Sequence, residues 1–291
     1  MLKLNFIFIL FYFLSCTSQN ELYEDNYPIE IPAKPIDSIK ILLIGNSFSE
    51  DAVEKYLHQI TKSSNKYIYI GNLYISGGTL ENHWNNLSTN RSIYRFFTSD
   101  FKGIKKVQFN YNLETAITEQ HWDYISLQQV SYNSGIQSSF DPYLNLLIDE
   151  ITLKTKLNQR FVLHQTWAYS NDSDHSGFQN YQNNQLLMYS SIVNTYNYWL
   201  NKNNKISFII PAGTAIQNAR NTVIGDNLTR DGYHLNDKGK LVVSYTWFQK
   251  LFKVSALESS FLSDDISSNE NYILKKCANS AINNPDFVSV L

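Results

Sequence analysis

Short apolar runs alternate along this chain with longer stretches whose apolar residues recur every three or four positions. The runs predict buried β-strands, because a strand in the middle of a parallel sheet is covered on both faces. The longer stretches predict amphipathic helices. Strands are expected at residues 39–44, 67–75, 124–129, 161–166 and 206–210, and helices at residues 51–61, 113–120, 142–153, 181–200 and 237–252.

This alternation is typical of a parallel sheet with helices on both faces. The fold class predicted is therefore α/β, a three-layer α/β/α sandwich with about five parallel strands. Residues 96–111 interrupt the alternation and indicate a hairpin. Asn112 and Asp237 are predicted to cap the helices that follow them.

The first residues have the pattern of an export signal. Lys3 precedes an apolar run that is too short to span a bilayer, since a spanning helix needs about 20 residues. The run ends in Leu14-Ser15-Cys16, which resembles the lipobox of bacterial lipoproteins, where the cysteine is lipidated after cleavage. An ordinary secretory signal with an incidental cysteine is the alternative. We predict a signal peptide at 1–15, a lipidated Cys16 and tether at 16–37, a folded domain at 38–253 and a helical extension at 254–291.

Composition narrows the class of function. The chain has 291 residues, a formal net charge of −2 and 43% hydrophobic residues. A near-neutral chain without a basic stripe is not expected to bind nucleic acid or an anionic membrane surface. The two cysteines, Cys16 and Cys277, have no spacing typical of a metal centre, so neither a metal nor a cofactor is expected. Contact with a membrane is expected only through the anchor at Cys16.

A candidate nucleophile stands at the end of the first predicted strand. Gly45 and Asn46 precede Ser47 there, and a helix is predicted to follow. The glycine allows a tight turn, and N–H groups at the start of a helix can face a developing oxyanion. The alternative is that Ser47 or Ser49 is a helix N-cap.

Asp231 and His234 supply the other groups that a serine nucleophile needs. They are three positions apart with Gly232 between them, so the carboxylate can reach the imidazole across a turn. In such a set the imidazole accepts the hydroxyl proton and the carboxylate fixes the tautomer of the imidazole. The alternative is a surface loop with a capping aspartate. We expect the set to converge at the carboxyl edge of the sheet, where ligands of such sheets bind.

Four segments in this order resemble the sequence blocks of the SGNH (GDSL-like) hydrolase superfamily. They are GNSFS at 45–49, ISGGT at 75–79, LQQVS at 127–131 and DGYHL at 231–235. The third departs from the Gly-x-Asn-Asp of that superfamily. Further segments at 122–125, 164–169 and 227–231 are similar to a little-characterised bacterial branch of it. The resemblance implies a flavodoxin-like domain, a triad of Ser47, His234 and Asp231, and ester hydrolysis, commonly removal of acetyl groups from carbohydrate.

The resemblance also implies an oxyanion hole. The N–H groups of Ser47 and Gly77 would supply two donors, and a side-chain amide of the third block would supply another. Because this block has no asparagine, a glutamine is predicted to replace it, with Gln129 favoured over Gln128.

Several residues near these blocks are candidates for contact with substrate. Gly78 follows the predicted oxyanion glycine, and three more candidates lie in the last part of the fourth predicted strand or just after it, namely His164, Trp167 and Tyr169. Aromatic side chains there suit stacking on sugars, although packing in the core is the alternative. His175, in a polar loop, is expected to be solvated, with contact to substrate as the alternative. Arg230 is expected either to bind an acidic sugar or to bond loop carbonyls.

The sequence therefore predicts an exported, lipid-anchored serine esterase that acts on acylated carbohydrate or another small ester. A glycan-binding lipoprotein with the same fold and little catalysis is the first alternative, motivated by the unusual third block. An acyltransferase is the second, because water and a sugar hydroxyl can use the same triad.

Overall fold

A computed structural model describes residues 35–156 and 159–290 of the chain. The predicted signal peptide and Cys16 lie outside the described residues. The described chain builds one seven-stranded sheet with the strand order β4-β3-β2-β1-β5-β6-β7. The strands are β1 (Ser38–Gly45), β2 (Tyr67–Tyr74), β3 (Ser92–Ser99), β4 (Lys105–Asn112), β5 (Tyr124–Leu127), β6 (Phe161–His164) and β7 (Ile206–Ile210).

Five of the strands run parallel, and β3 and β4 form an antiparallel hairpin at one side of the sheet. The predicted α/β class with a parallel sheet is confirmed. The strand count is seven rather than about five, because the hairpin indicated at 96–111 pairs with β2 and extends the sheet. The central strand β1 shows why apolar runs mark these strands: Ile41, Leu42, Leu43 and Ile44 are all at most 1% exposed.

Helices flank the sheet. They are α1 (Ser47–Val53), α2 (Leu57–Ser63), α3 (Leu80–Ser88), α4 (Leu113–Thr118), α5 (Tyr143–Thr155), α6 (Gln185–Lys202), α7 (Ala212–Arg220), α8 (Asp237–Phe252) and α9 (Ser268–Asn283). α8 packs against α1, α2, α7 and α9, whereas α5 packs against α3 and α4. Within the described residues, none of the helices combines the length and apolarity that crossing a membrane requires.

The helices differ from the sequence prediction in four places. The helix expected at 51–61 is two short helices, α1 and α2, separated by a turn at residues 54–56. α6 begins at Gln185 rather than near 181, because Gln182 and Asn183 have left-handed backbones (φ 56° and 52°) that end a preceding 3₁₀ turn. α7 was not predicted. The cap of α8 is Asn236, whose side chain accepts two backbone N–H groups, so the prediction of Asp237 was wrong.

The C-terminal residues belong to the same packed body as the sheet. α9 lies against α7 and α8 and buries Leu274, Cys277, Ala278 and Ala281, each 0% exposed. The carboxyl ends of the parallel strands open at one edge of the sheet, where the loops that follow β1, β2, β5 and β6 meet.

Candidate active site

Ser47 is the first residue of α1, immediately beyond β1. Asn46 caps this helix through its side-chain oxygen, which accepts the N–H of Phe48 at 3.0 Å. The alternative in which Ser47 or Ser49 serves as the N-cap is therefore wrong. A side chain at Gly45 would come within 2.7 Å of the Ser49 hydroxyl, so only glycine leaves room for this tight passage from strand to helix. The Ser47 hydroxyl is thereby placed at the edge of the sheet.

The structure brings Ser47, His234 and Asp231 into one hydrogen-bonded chain. The Ser47 hydroxyl lies 2.8 Å from Nε2 of His234, and Nδ1 of His234 lies 2.6 Å from Oδ2 of Asp231. The other carboxylate oxygen of Asp231 accepts the N–H groups of His234 at 2.8 Å and Tyr233 at 3.2 Å. Gly232, with φ +88°, makes this turn possible. These distances suit transfer of a proton from the serine to the imidazole.

The Asp231 carboxylate is stabilised in its charged form. Burial alone would raise its pKa, but hydrogen bonds from the His234 ring and from the N–H groups of His234 and Tyr233 outweigh burial and hold the pKa below its usual value. An ionised carboxylate beside Nδ1 keeps the proton on that nitrogen. Nε2 is then the nitrogen that can accept the serine proton.

A buried carboxylate on α1, Asp51, holds the loop that carries the histidine. The Asp51 side chain is 1% exposed, and Arg230 donates to both of its oxygens at 3.0 Å. It also accepts the N–H of Leu235 at 2.8 Å, and Lys240 lies 3.3 Å away. Arg230 also donates to the Leu235 carbonyl, so its predicted bond to loop carbonyls is present and its guanidinium is not reserved for substrate.

Aromatic residues at the end of β6 and just after it lie beneath the loop at residues 230–235. We call this loop, which carries His234, the histidine loop. The indole N–H of Trp167 donates to the Tyr233 carbonyl at 2.8 Å, and its ring stacks on Phe48 with centroids 4.1 Å apart. His164, Trp167 and Tyr169 are each 0% exposed. The prediction that these three contact substrate is wrong, because their rings fill the core beneath the site.

The two backbone groups predicted for the oxyanion hole are available. The N–H of Ser47 is in the first turn of α1 and has no partner in the helix. Gly77 has a left-handed backbone (φ +61°) and open space on its Cβ side. Gly78 is buried instead: its carbonyl accepts the Asn46 amide at 3.0 Å, and a side chain there would be 2.5 Å from Ile75. Gly78 therefore holds the Gly77 loop in place rather than facing substrate.

Neither glutamine of the third block lines the pocket. Nε2 of Gln129 donates to the carbonyl and the hydroxyl of Ser139 at 2.7 and 3.3 Å. Nε2 of Gln128 donates to Asn46 at 2.8 Å, while its oxygen bonds Nδ1 of His164 at 2.8 Å. Both side chains are at most 2% exposed. The expected glutamine donor is thus directed into buried hydrogen bonds that brace the first and third blocks.

A pocket of about 200 Å³ contains the Ser47 hydroxyl. Ser47, His234 and Gly77 line it, and residues from other loops complete it, among them Ser131, Tyr132, His175 and Tyr233. Tyr233 lies inside the Asp-x-x-His block, and this position is the one feature of the sequence that could have identified it as a pocket residue. Tyr132 lies just beyond the third block but no pattern singled it out.

His175 is part of this pocket and is not simply solvated. Its ring contacts the rings of Tyr233, Tyr169 and Tyr132, with centroid separations of 4.7, 4.8 and 6.0 Å. Burial, and then the nearby His234, lower its pKa. Nδ1 accepts the N–H of Gly177 at 3.0 Å, so the neutral ring carries its proton on Nε2. His175 thus brings a neutral donor to the pocket.

Among residues 35–156 and 159–290, no group of three or more histidine, cysteine, aspartate or glutamate side chains is arranged to hold a metal ion.

Comparisons with known proteins found several similar solved structures. The chain is similar to the crystal structure of a DUF4886 family protein from Bacteroides uniformis, with 39% identity and a TM-score of 0.85 over 88% of this chain and 98% of that one. It is also similar to a lipase/acylhydrolase from Enterococcus faecalis, with 16% identity and a TM-score of 0.47 over 74% of this chain and 96% of that one. An acetyl xylan esterase, AlAXEase, matches with 16% identity and a TM-score of 0.48 over 73% of this chain and 99% of that one.

A search of curated proteins found no match. The model of the family described as "Domain of unknown function (DUF4886)" matches residues 40–281, which include the strand ends, the triad and α9. The chain belongs to the DUF4886 family.

Proposed function

We propose that the protein is an SGNH-type serine esterase that hydrolyses O-acyl esters, acetyl esters of carbohydrate above all. The observation that carries this proposal is the hydrogen-bonded chain from Ser47 through His234 to Asp231, with distances of 2.8 and 2.6 Å. Because Ser47 and Gly77, the residues predicted to supply the oxyanion donors, line the same pocket, it offers both a nucleophile and a place for negative charge.

In the first half of the reaction, the Ser47 oxygen attacks the carbonyl carbon of the ester. Nε2 of His234 takes the hydroxyl proton, and Asp231 stabilises the imidazolium that forms. The N–H groups of Ser47 and Gly77 bond the oxyanion. The tetrahedral intermediate then collapses, the bond to the sugar oxygen breaks, and His234 returns its proton to that oxygen, which leaves as a free hydroxyl.

In the second half, a water molecule attacks the acyl group on Ser47. His234 accepts the proton of this water, and the same two N–H groups bond the new oxyanion. The bond between the acyl carbon and the Ser47 oxygen then breaks, His234 returns its proton to that oxygen, and the carboxylic acid is released. His175 is placed to hydrogen-bond the substrate through Nε2 in both halves, since its other ring nitrogen is occupied by Gly177.

The size and lining of the pocket support a small acyl group on a polar alcohol. About 200 Å³ leaves little room for a long acyl chain beside the alcohol. The rim is formed by tyrosine and histidine side chains, which combine flat apolar faces with polar tips. Such a rim suits a sugar, whose rings have apolar faces and many hydroxyls.

One observation favours a second candidate, a glycan-binding protein that retains the fold with weak catalysis. The amides of Gln128 and Gln129 are both engaged outside the pocket, so no glutamine completes the oxyanion hole. Loss of a single oxyanion donor typically lowers the rate by about 100- to 1000-fold. A fluorophosphonate probe separates the candidates, since labelling of Ser47 requires an activated serine whereas binding of glycan alone does not.

Export and lipidation at Cys16 complete the proposal for where the enzyme acts. The short apolar run before Leu14-Ser15-Cys16 supports a cleaved signal with a lipid on the cysteine. Such an anchor would keep the esterase at a bacterial membrane surface, in contact with polysaccharide outside the cytoplasm.

Replacement of the nucleophile is the first test. Ser47→Ala should abolish hydrolysis of nitrophenyl acetate and release of acetate from acetylated polysaccharides, because the acyl-enzyme forms on the Ser47 oxygen. The thermal unfolding midpoint should stay close to that of the wild type, and the fluorophosphonate should label the wild type only. Full activity in the variant would remove Ser47 from the mechanism.

The second test concerns the carboxylate. Asp231→Asn should lower kcat by about 10³- to 10⁴-fold, because an amide no longer holds the proton on Nδ1 of His234. Asp264→Asn changes an exposed carboxylate elsewhere and should leave kcat unchanged. Steady-state kinetics with nitrophenyl acetate measure both. Equal activity of the two variants would show that Asp231 does not orient the imidazole.

Asp51 is a positioning residue, and its effect should act through the histidine loop. Asp51→Asn should lower the free energy of unfolding by about 1–3 kcal/mol, because Arg230 and Lys240 lose a buried charged partner. It should also lower kcat more than it changes KM. Asp237→Asn removes a surface pair with Lys55 and should change neither by much. An Asp51 variant with wild-type kcat would mean that the loop holds its position without this carboxylate.

Lipidation is tested by expressing the full chain in a bacterial host fed with radiolabelled palmitate. The wild type should incorporate label and sediment with membranes, whereas Cys16→Ala should do neither. Equal labelling of the two proteins would exclude Cys16 as the anchor.

A further inference from the structure

A second concave surface lies beside the catalytic pocket, at the hairpin formed by β3 and β4. It encloses about 330 Å³. We call it the hairpin pocket, and the residues that matter for its chemistry are Tyr74, Ser76, Ile93, Arg95, Phe109 and Asn110. Ser76 lines both this pocket and the catalytic one, so the two pockets adjoin at the loop that carries Gly77.

The hairpin presents apolar side chains to solvent at this point. Phe109 is 72% exposed and Ile93 is 42% exposed. Pairing between β3 and β4 shifts register between Tyr94 and Phe96, and Asn110 on the facing strand has a left-handed backbone with φ 54°. A bulge of this kind bends a strand and re-aims its side chains. Phe109 stands at this bulge, at the end of the hairpin nearest the catalytic edge.

The hairpin pocket is fixed relative to the nucleophile by an ion pair. The Arg95 guanidinium on β3 lies 2.8 Å from Glu54 and 3.2 Å from Glu50, and Glu50 is in the first turn of α1 with Ser47. The same guanidinium lies 4.9 Å from the ring centre of Tyr74. These contacts hold β3, β2 and α1 together. A ligand in the hairpin pocket would therefore sit at a constant distance from the serine.

The chemistry of the lining selects a neutral, ring-shaped ligand. Arg95 is the one cation among the residues named for the pocket, and two glutamates neutralise it, so it offers no free charge to an acidic ligand. An exposed aromatic face with amide and hydroxyl groups around it suits the apolar face and the hydroxyls of a sugar. Because Ser76 lines both pockets, a sugar bound here would be next to the ester in the catalytic pocket, which suits two units of one molecule.

We propose that the hairpin pocket binds a neutral sugar unit adjacent to the acylated one, so that the enzyme acts on acylated oligo- or polysaccharide in preference to acylated monosaccharide. This inference rests on the proposed function, since it assigns the remainder of the same substrate. Phe109 stacks on the sugar and determines specificity without contacting the reacting atoms.

The test compares substrates of different length. Wild-type enzyme should have a higher kcat/KM for an O-acetylated neutral oligosaccharide than for the corresponding acetylated monosaccharide. Phe109→Ala should lower kcat/KM for the oligosaccharide by about 5- to 10-fold, mainly through KM, as expected for loss of one stacking contact. It should leave nitrophenyl acetate unaffected. Phe109→Trp should restore the preference, and Phe287→Ala, which removes an equally exposed (72%) ring from the C-terminal segment, should have no effect.

Three results would overturn the proposal. The first is a wild type without preference for the longer substrate, and the second is a Phe109→Ala variant that loses activity equally on nitrophenyl acetate. The third is a change of oligomeric state in Phe109→Ala, seen by sedimentation, which would assign the surface to a second copy of the chain.

Failure of the proposed function can be distinguished from failure of this inference. If the wild type releases acetate from no carbohydrate, the esterase proposal fails while the pocket remains testable by calorimetry. Titration of Ser47→Ala with an unacetylated neutral oligosaccharide should then show binding that the additional Phe109→Ala change weakens. Equal binding by Ser47→Ala and by the double variant, or no binding by either, would contradict the inference.

Discussion

The buried carboxylate of Asp51 is the contact on which the rest of the site depends. Removing a carboxylate from water costs several kcal/mol unless charged and N–H donors replace the lost hydration. Here the donors come from Arg230, Lys240 and the backbone of Leu235, which lie on both sides of His234. The cost of burial is thus offset only when the histidine loop is docked on α1. Because Ser47 begins that same helix, this ionic cluster ties the position of the imidazole to that of the serine.

The parts of the site that could be predicted are those whose location follows from the end of a strand or from the spacing of residues along the chain. Ser47 follows a buried strand, and parallel strands place their carboxyl ends at one edge, so its location follows from the hydrophobic pattern. The reach of Asp231 to His234 follows from three positions of spacing and a glycine with positive φ between them. The same reasoning found the α/β class and the hairpin, because strand length and alternation are local properties.

What could not be predicted depends on which way a side chain points across the fold. The sequence places Gln128 and Gln129 at a strand end beside the site, yet their amides turn toward Asn46 and Ser139. Trp167 similarly follows a strand that ends at the site, but its ring lies beneath Phe48. The reverse holds for His175, which was expected to be solvated. It lies in a polar loop beside the pocket, where its ring contacts three tyrosine rings. Each of these side-chain orientations is determined by contacts with residues that are distant in the sequence. A local sequence pattern cannot predict such contacts.

The separation of the reacting groups along the chain has a consequence for biosynthesis. Ser47 and His234 are 187 residues apart, and the loop between Arg230 and Leu235 is made long after α1. A partly synthesised chain therefore contains a serine with no base to activate it. Under the proposed function, the serine becomes reactive only once the C-terminal quarter of the chain has folded back onto the first helix, so an esterase that is exported as proposed would not cleave esters inside the cell before it folds.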